Sequence, residues 1–218
     1  MLKDSWHVRL SRKEAITPEI LTKLVDKFGQ EDASLLNVRT LTVVLVGYAG
    51  FLRFDELSNL KESDVQILEE HMELFIESSK TDQYRDGAWV VIARTSSKLC
   101  PVAMMERYQS LAQITGQDLP LFRGITNTRS GGKLRKGGSI SYSRMREVVL
   151  DMLSAVGLDQ RKFGLHSLRS GGASAAANAG VPDRMFKRHG RWRSENAKDG
   201  YIQDALDERL TVSRNLGL

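Results

Sequence analysis

The sequence predicts a mainly helical α+β domain with a small antiparallel β-sheet, and three observations carry that prediction. Apolar residues recur at helical spacing along most of the chain. One region, Val65 to Arg94, instead sets β-branched and apolar residues on either side of a polar turn. At 218 residues and 41% hydrophobic content, the chain can bury one sizeable core, so a single large domain is the default.

Taken in order, Thr17-Pro18-Glu19 reads as an N-cap, a proline at the first helical position and an acidic first turn. Ile20, Leu21, Leu24, Val25 and Phe28 then run at helical spacing to Gly29. Ala33 to Leu52 continues as one or two strongly apolar helices, so Arg53 emerges at the end of a buried element. Val65 to Ile76 and Ala88 to Arg94 flank the turn Thr81 to Gly87, a hairpin with Lys80 near its tip. Pro101 opens a helix through Leu111, and Leu119 to Phe122 is a short apolar link. Asn127 to Gly138 carries Arg129, Lys133, Arg135 and Lys136 among glycines and reads as a loop. It is able to lie along a phosphate backbone, although a plain mobile surface loop has the same composition. No Walker spacing occurs in it. Tyr142 to Gly157 is helical, Ser167 to Ala179 is a small-residue helix ended by Gly180, and Pro182 begins another helix through His189.

Composition narrows the function. The single Cys100 excludes an internal disulfide framework. Leu41 to Leu52, the longest apolar run, falls well short of the ~20 residues that span a bilayer, and no leader pattern opens the chain. Net charge is +5, unevenly spread: residues 1–120 carry −4, residues 121–200 carry +10 and residues 201–218 carry −1. A basic segment of that kind attracts a polyanion, and phosphate neutralisation supplies much of the affinity for DNA. There is no His-Glu-x-x-His, no Cys-x-x-Cys and no serine nucleophile elbow, so neither a metal nor another cofactor is expected.

The residues that carry chemistry cluster near the C-terminus. His166-Ser167-Leu168-Arg169 is followed by Trp192 and, nine residues later, by Tyr201. Upstream, Gly50-Phe51-Leu52-Arg53-Phe54-Asp55-Glu56-Leu57 supplies a second arginine and an acidic residue three positions on. This ordered set resembles the tyrosine recombinase (phage integrase) family along nearly the whole chain. His166 and Arg169 fall on the family's His-x-x-Arg, Trp192 on its His-or-Trp position, Tyr201 on its nucleophile, and Lys80 on its hairpin lysine. The stretch from His166 through Tyr201 looks most like recombinases of eukaryotic mobile elements, the DIRS-like and Crypton-like groups.

Physical chemistry gives each residue a role. Arginine offers a planar fork of donors that stays protonated, so Arg53 and Arg169 can clamp one phosphate as charge develops on its oxygens. Arg53 paired only with Glu56 at a helix end is the structural alternative. A phenol titrates near ~10 and needs help to attack at neutral pH; His166 can accept its proton or orient the phosphate. The resemblance assigns protonation of the 5′-hydroxyl leaving group to Lys80, with Lys98 as rival on the returning strand. Trp192 can donate its indole N–H to a phosphate oxygen or pack as a core residue. His189, twelve residues before Tyr201, is a supporting polar group.

The resemblance implies a site-specific DNA strand transferase that forms a 3′-phosphotyrosyl intermediate on double-stranded DNA, as a DNA-induced tetramer. On this reading residues 1–218 are one catalytic domain, residues 1–16 a linker from a missing N-terminal DNA clamp, and residues 203–218 a tail helix. The location would be the nucleus for a eukaryotic mobile element, otherwise the cytoplasm or nucleoid. A type IB topoisomerase resembles the family in its chemistry. Residues 175–192 also fit a helix-turn-helix, with Arg184, Lys187 and Arg188 on the second helix, which would suit a non-catalytic DNA-binding module.

Overall fold

The structure is a computed structural model that describes residues 13–77, 87–128, 131–192, 194–204, 206, 210 and 213–214. α1 (Pro18–Phe28) begins where the sequence places it, with Thr17 Oγ1 accepting the Ile20 N–H at 3.4 Å. α2 (Leu35–Ala49), capped by Ser34, is buried along most of its length. It therefore forms the axis of the core, touching α1, α4, α5 and α6. A helix apolar on all sides has to lie inside the fold.

After α2 the chain turns through Gly50 and Phe51 into the short α3 (Phe54–Asn59), for which Arg53 is the N-cap residue. A three-stranded antiparallel sheet follows, in the order β1 (Val65–Ile67), β2 (His71–Ile76), β3 (Ala88–Ala93). Its register pairs His71 with Ala93 and Ile76 with Ala88, so the two expected flanks pair antiparallel, while residues 81–86 of the expected turn lie outside the described residues. Met72, Leu74 and Ile76 of β2 and Val90 and Ile92 of β3 face the core, the period-2 alternation of a one-sided sheet. Lys80 lies outside the described residues.

α4 (Pro101–Ala112) leads through the buried Leu121 and Phe122 into a second, two-stranded sheet, β4 (Arg123–Thr128) with β5 (Gly131–Ser139). Here the structure corrects the expected glycine loop: Lys133, Arg135 and Lys136 lie on a strand, and all three are exposed. Leu134, opposite Ile125, is buried and turns the strand inward. Gly132 packs where a Cβ would sit 3.1 Å from Ile125 Cγ2, so this glycine marks a close approach rather than slack chain.

α5 (Tyr142–Ala155), α6 (His166–Asn178), α7 (Asp183–Gly190) and the short α8 (Glu195–Asp199) complete the fold. α6 packs on α2 at backbone distance. A Cβ on Gly171 would land on the Ile16 carbonyl oxygen and one on Gly172 on that of Tyr48, so only glycine fits. The small residues of this helix set how deeply it sits. No described helix is long and apolar enough to cross a membrane.

Candidate active site

The site forms where the C-terminal end of α2 meets α6, α7 and the segment after α8. Phe51, with φ 48, is a left-handed non-glycine residue, held there by the packing of its ring against Phe186, His189 and Trp192. That conformation frees the Phe51 carbonyl to accept from Arg169 Nη1 and from Arg191 Nη2, the latter at 3.2 Å.

Glu56 organises the charges. Its Oε1 accepts from Arg53 Nη1 at 3.1 Å, and its Oε2 from the Arg53 backbone N–H at 2.8 Å and from Arg191 Nη2 at 2.9 Å. Arg169 Nη1 lies 3.7 Å from Oε2. Burial alone would push this carboxyl up, but Arg191, the Arg53 N–H, Arg169 and the Arg53 guanidinium outweigh it and hold it below the usual carboxylate value. The pairing of Arg53 with Glu56 is thus real, yet the carboxylate is shared. Three guanidinium groups meet one carboxylate, leaving the cluster two positive charges in excess.

Arg169 is wholly buried. Its Nη2 donates to the Gly190 carbonyl at 2.7 Å, and its carbon centre lies 4.8 Å from the Tyr201 ring centroid and 4.9 Å from that of Trp192. Desolvation lowers its pKa to about 10, so it remains a cation at neutral pH. Trp192 is buried beside Tyr201, ring centroids 5.8 Å apart. Tyr201 is pinned from α6: Ser174 Oγ donates to the Tyr201 carbonyl at 3.4 Å and accepts the Gln203 N–H at 2.8 Å. The phenol-bearing ring therefore covers the arginine it would work with.

Arg169 Nε, Arg191 Nε and Trp192 Nε1 are buried donors without an acceptor among the described residues. A buried donor left unmade costs about 1–3 kcal/mol. With the excess positive charge, these three fit an anionic, oxygen-rich guest.

The structure thus brings Arg53, Glu56, Arg169, Trp192 and Tyr201 together. His166 stands exposed at the first residue of α6, one turn from Arg169, and its ring forms no hydrogen bond or ion pair among the described residues. Its exposure leaves it open to a ligand. His189 joins the site from below: its Nε2 donates to the Ala49 carbonyl at 2.7 Å, its ring meets the edge of Phe51, and burial lowers its pKa. Lys98 pairs with Asp26 of α1 at 2.5 Å and so is tied elsewhere. Arg184 and Arg188 are exposed on α7, whereas Lys187 pairs with Asp183 at 3.1 Å and with Glu195. Arg191 was not singled out by the sequence, where it is one of several arginines around Trp192. Its role depends on a left-handed C-cap, φ 55, that turns its side chain back toward Glu56.

No family model matches the chain. Over 192 residues it is 29% identical to an integrase/recombinase XerD homologue of Selenomonas ruminantium, covering 88% of this chain and 54% of that protein. The chain therefore spans about half the length of this curated relative. The structure of the XerH site-specific recombinase bound to palindromic difH substrate, a post-cleavage complex, superposes with a TM-score of 0.66 at 17% identity, over 93% of this chain and 52% of that one. The XerA recombinase gives 0.66 at 17% identity, over 95% and 65%. The fold is that of the tyrosine recombinase catalytic domain. Fold and sequence likeness together support the tyrosine recombinase/integrase family.

Proposed function

We propose that this chain is the catalytic domain of a tyrosine recombinase, a site-specific DNA strand transferase spanning residues 1–218. The observation that carries the proposal is Tyr201 stacked on Arg169 inside a cluster of three arginines that share the single carboxylate of Glu56. In the reaction the Tyr201 oxygen attacks a DNA phosphorus, the bond to the 5′ oxygen breaks, and a 3′-phosphotyrosyl link forms. Arg53 and Arg169 neutralise charge on the non-bridging oxygens, where such donors are typically worth about 10²-fold or more in rate. His166, exposed at the first residue of α6, takes the phenolic proton or orients the phosphate, and Trp192 offers its buried indole N–H. Lys80 protonates the departing 5′ oxygen. The 5′-hydroxyl of a partner duplex then displaces the tyrosine and restores the diester, with no net change in bond type.

The substrate is double-stranded DNA and the working assembly a DNA-induced tetramer. The run of His166, Arg169, Trp192 and Tyr201 supports an origin among DIRS-like or Crypton-like mobile elements, and with it a nuclear location. A nicked suicide duplex tests the core of the proposal. The parent chain should accumulate a covalent protein–DNA adduct, and Tyr201→Phe should bind the duplex as well yet form none. Adduct formation by Tyr201→Phe would assign the nucleophile elsewhere.

A further inference from the structure

Ten residues before the end of α2, about 15 Å along the helix axis from Ala49 at 1.5 Å per residue, Arg39 is buried to 2% exposure and forms no ion pair among the described residues. Its Nη1 donates to the Arg123 carbonyl at 2.7 Å, and its Nε is a buried donor without an acceptor among the described residues. The guanidinium of Arg123, whose carbonyl Arg39 holds, has its own carboxylate partner in Glu62. A buried charge without a counterion is a costly arrangement in a folded protein.

Arg39 lines a cavity of about 330 Å³ between α2, the β4–β5 hairpin and the start of α5. Arg135, Arg144 and Asn127 line the same cavity, with Leu36 and Ile140 as apolar wall. Arg135 donates through Nε to Thr126 Oγ1 at 3.2 Å and has no ion pair among the described residues. Arg144 pairs with Glu147 at 2.5 Å, but both side chains are more than half exposed, so the pair is weak and readily exchanged.

We infer that this cavity is a phosphate-binding site separate from the candidate active site, in which Arg39, Arg135 and Arg144 converge on one phosphate group. Guanidinium forks match the oxygens of a phosphate, and a guest of that charge supplies a counterion that no described residue gives Arg39. The phosphate has two possible sources, the DNA backbone or a free phosphate ester, and the exposed Lys133 and Lys136 on the same hairpin suit either.

The test is calorimetric titration of the full chain with inorganic phosphate at constant ionic strength, using Arg135→Gln and Arg144→Gln, both at exposed positions. Each variant should weaken a saturable phosphate site at least tenfold, while Arg146→Gln, exposed on α5 but outside the cavity, should not. Phosphate affinity unchanged in both cavity variants would overturn the inference, even if phosphate still binds at the arginines near Tyr201. Duplex binding separates the sources. If the double variant also binds duplex more weakly and its salt slope falls by about one for each arginine replaced, the phosphate belongs to DNA. Unchanged duplex affinity with phosphate binding abolished assigns a free ester. Adduct yield from the suicide duplex, read separately on bound complex, reports on Tyr201 and not on this cavity.

Discussion

Glu56 holds together three cations that would otherwise repel one another, and its own ionisation is maintained by them. Glu56→Gln should therefore lower stability at neutral pH by about 3–5 kcal/mol, the usual cost of breaking a buried charge pair from one side. The pH dependence fixes the sign. Because the folded carboxyl lies below its ordinary 4.5, its contribution is complete above that value and drains away as pH falls through the folded one. Denaturant melts from pH 7 down to pH 3 should show a shallower acid limb for Glu56→Gln than for the parent; equal limbs would remove Glu56 from this role. Lys80 calls for a chemical test, since it lies outside the described residues. Lys80→Ala should cleave slowly on ordinary DNA and recover on a duplex whose bridging 5′ oxygen is sulfur, because a thiolate leaves without a proton. Recovery by Lys98→Ala instead would move the acid to that residue, against its pairing with Asp26.

At the scale of elements, α6 is the part on which the site depends. Its glycines let the helix lie against the carbonyls of Ile16 and Tyr48, and that depth carries Arg169 under the rings of Trp192 and Tyr201. Helix propensity alone predicts that alanine improves a helical glycine by about 1 kcal/mol. Close packing should reverse the sign: Gly171→Ala or Gly172→Ala is expected to destabilise by about 1–3 kcal/mol, as overpacking does, and to reduce adduct yield. Gly180 is the control. At φ +71 with open space around its Cβ position, Gly180→Ala should cost about 1 kcal/mol in backbone strain and leave adduct yield intact. Thermal melts and suicide-substrate assays on the three variants check the pattern, and stabilisation by either packed glycine's alanine would contradict the close approach.

At the scale of the whole molecule, the proposed assembly on DNA makes a prediction for the C-terminal residues. Leu206 and Leu210 lie at helical spacing, and Leu206 is 69% exposed, so its side chain is free for a partner. Deleting residues 204–218 should leave a folded domain that cleaves weakly but assembles poorly on DNA and exchanges strands inefficiently. Sizing of DNA complexes by light scattering, with recombination measured in parallel, checks this. Full recombination by the shortened chain would exclude the tail from assembly, and unfolding would place it in the intramolecular core.

Amino-acid order alone was enough to place the longer helices, because caps and apolar spacing act over a few residues: Thr17 and Pro18 start α1 where the structure has it, and the small-residue run from Ser167 foretells α6. β-branched and apolar residues on either side of a polar turn likewise marked the paired strands, and the resemblance to tyrosine recombinases set out the order of Arg53, His166, Arg169, Trp192 and Tyr201. Two short helices, α3 and α8, escaped because five or six residues are too few to establish a period. The β4–β5 hairpin escaped because its glycines pass for flexibility when no partner strand is in view. That Arg191 shares Glu56, that Tyr201 closes over Arg169, and that Arg39 is buried beside two further arginines were settled by tertiary packing. Each of these is a meeting of residues far apart in the chain. Its energy depends on burial and distance, which local spacing does not encode.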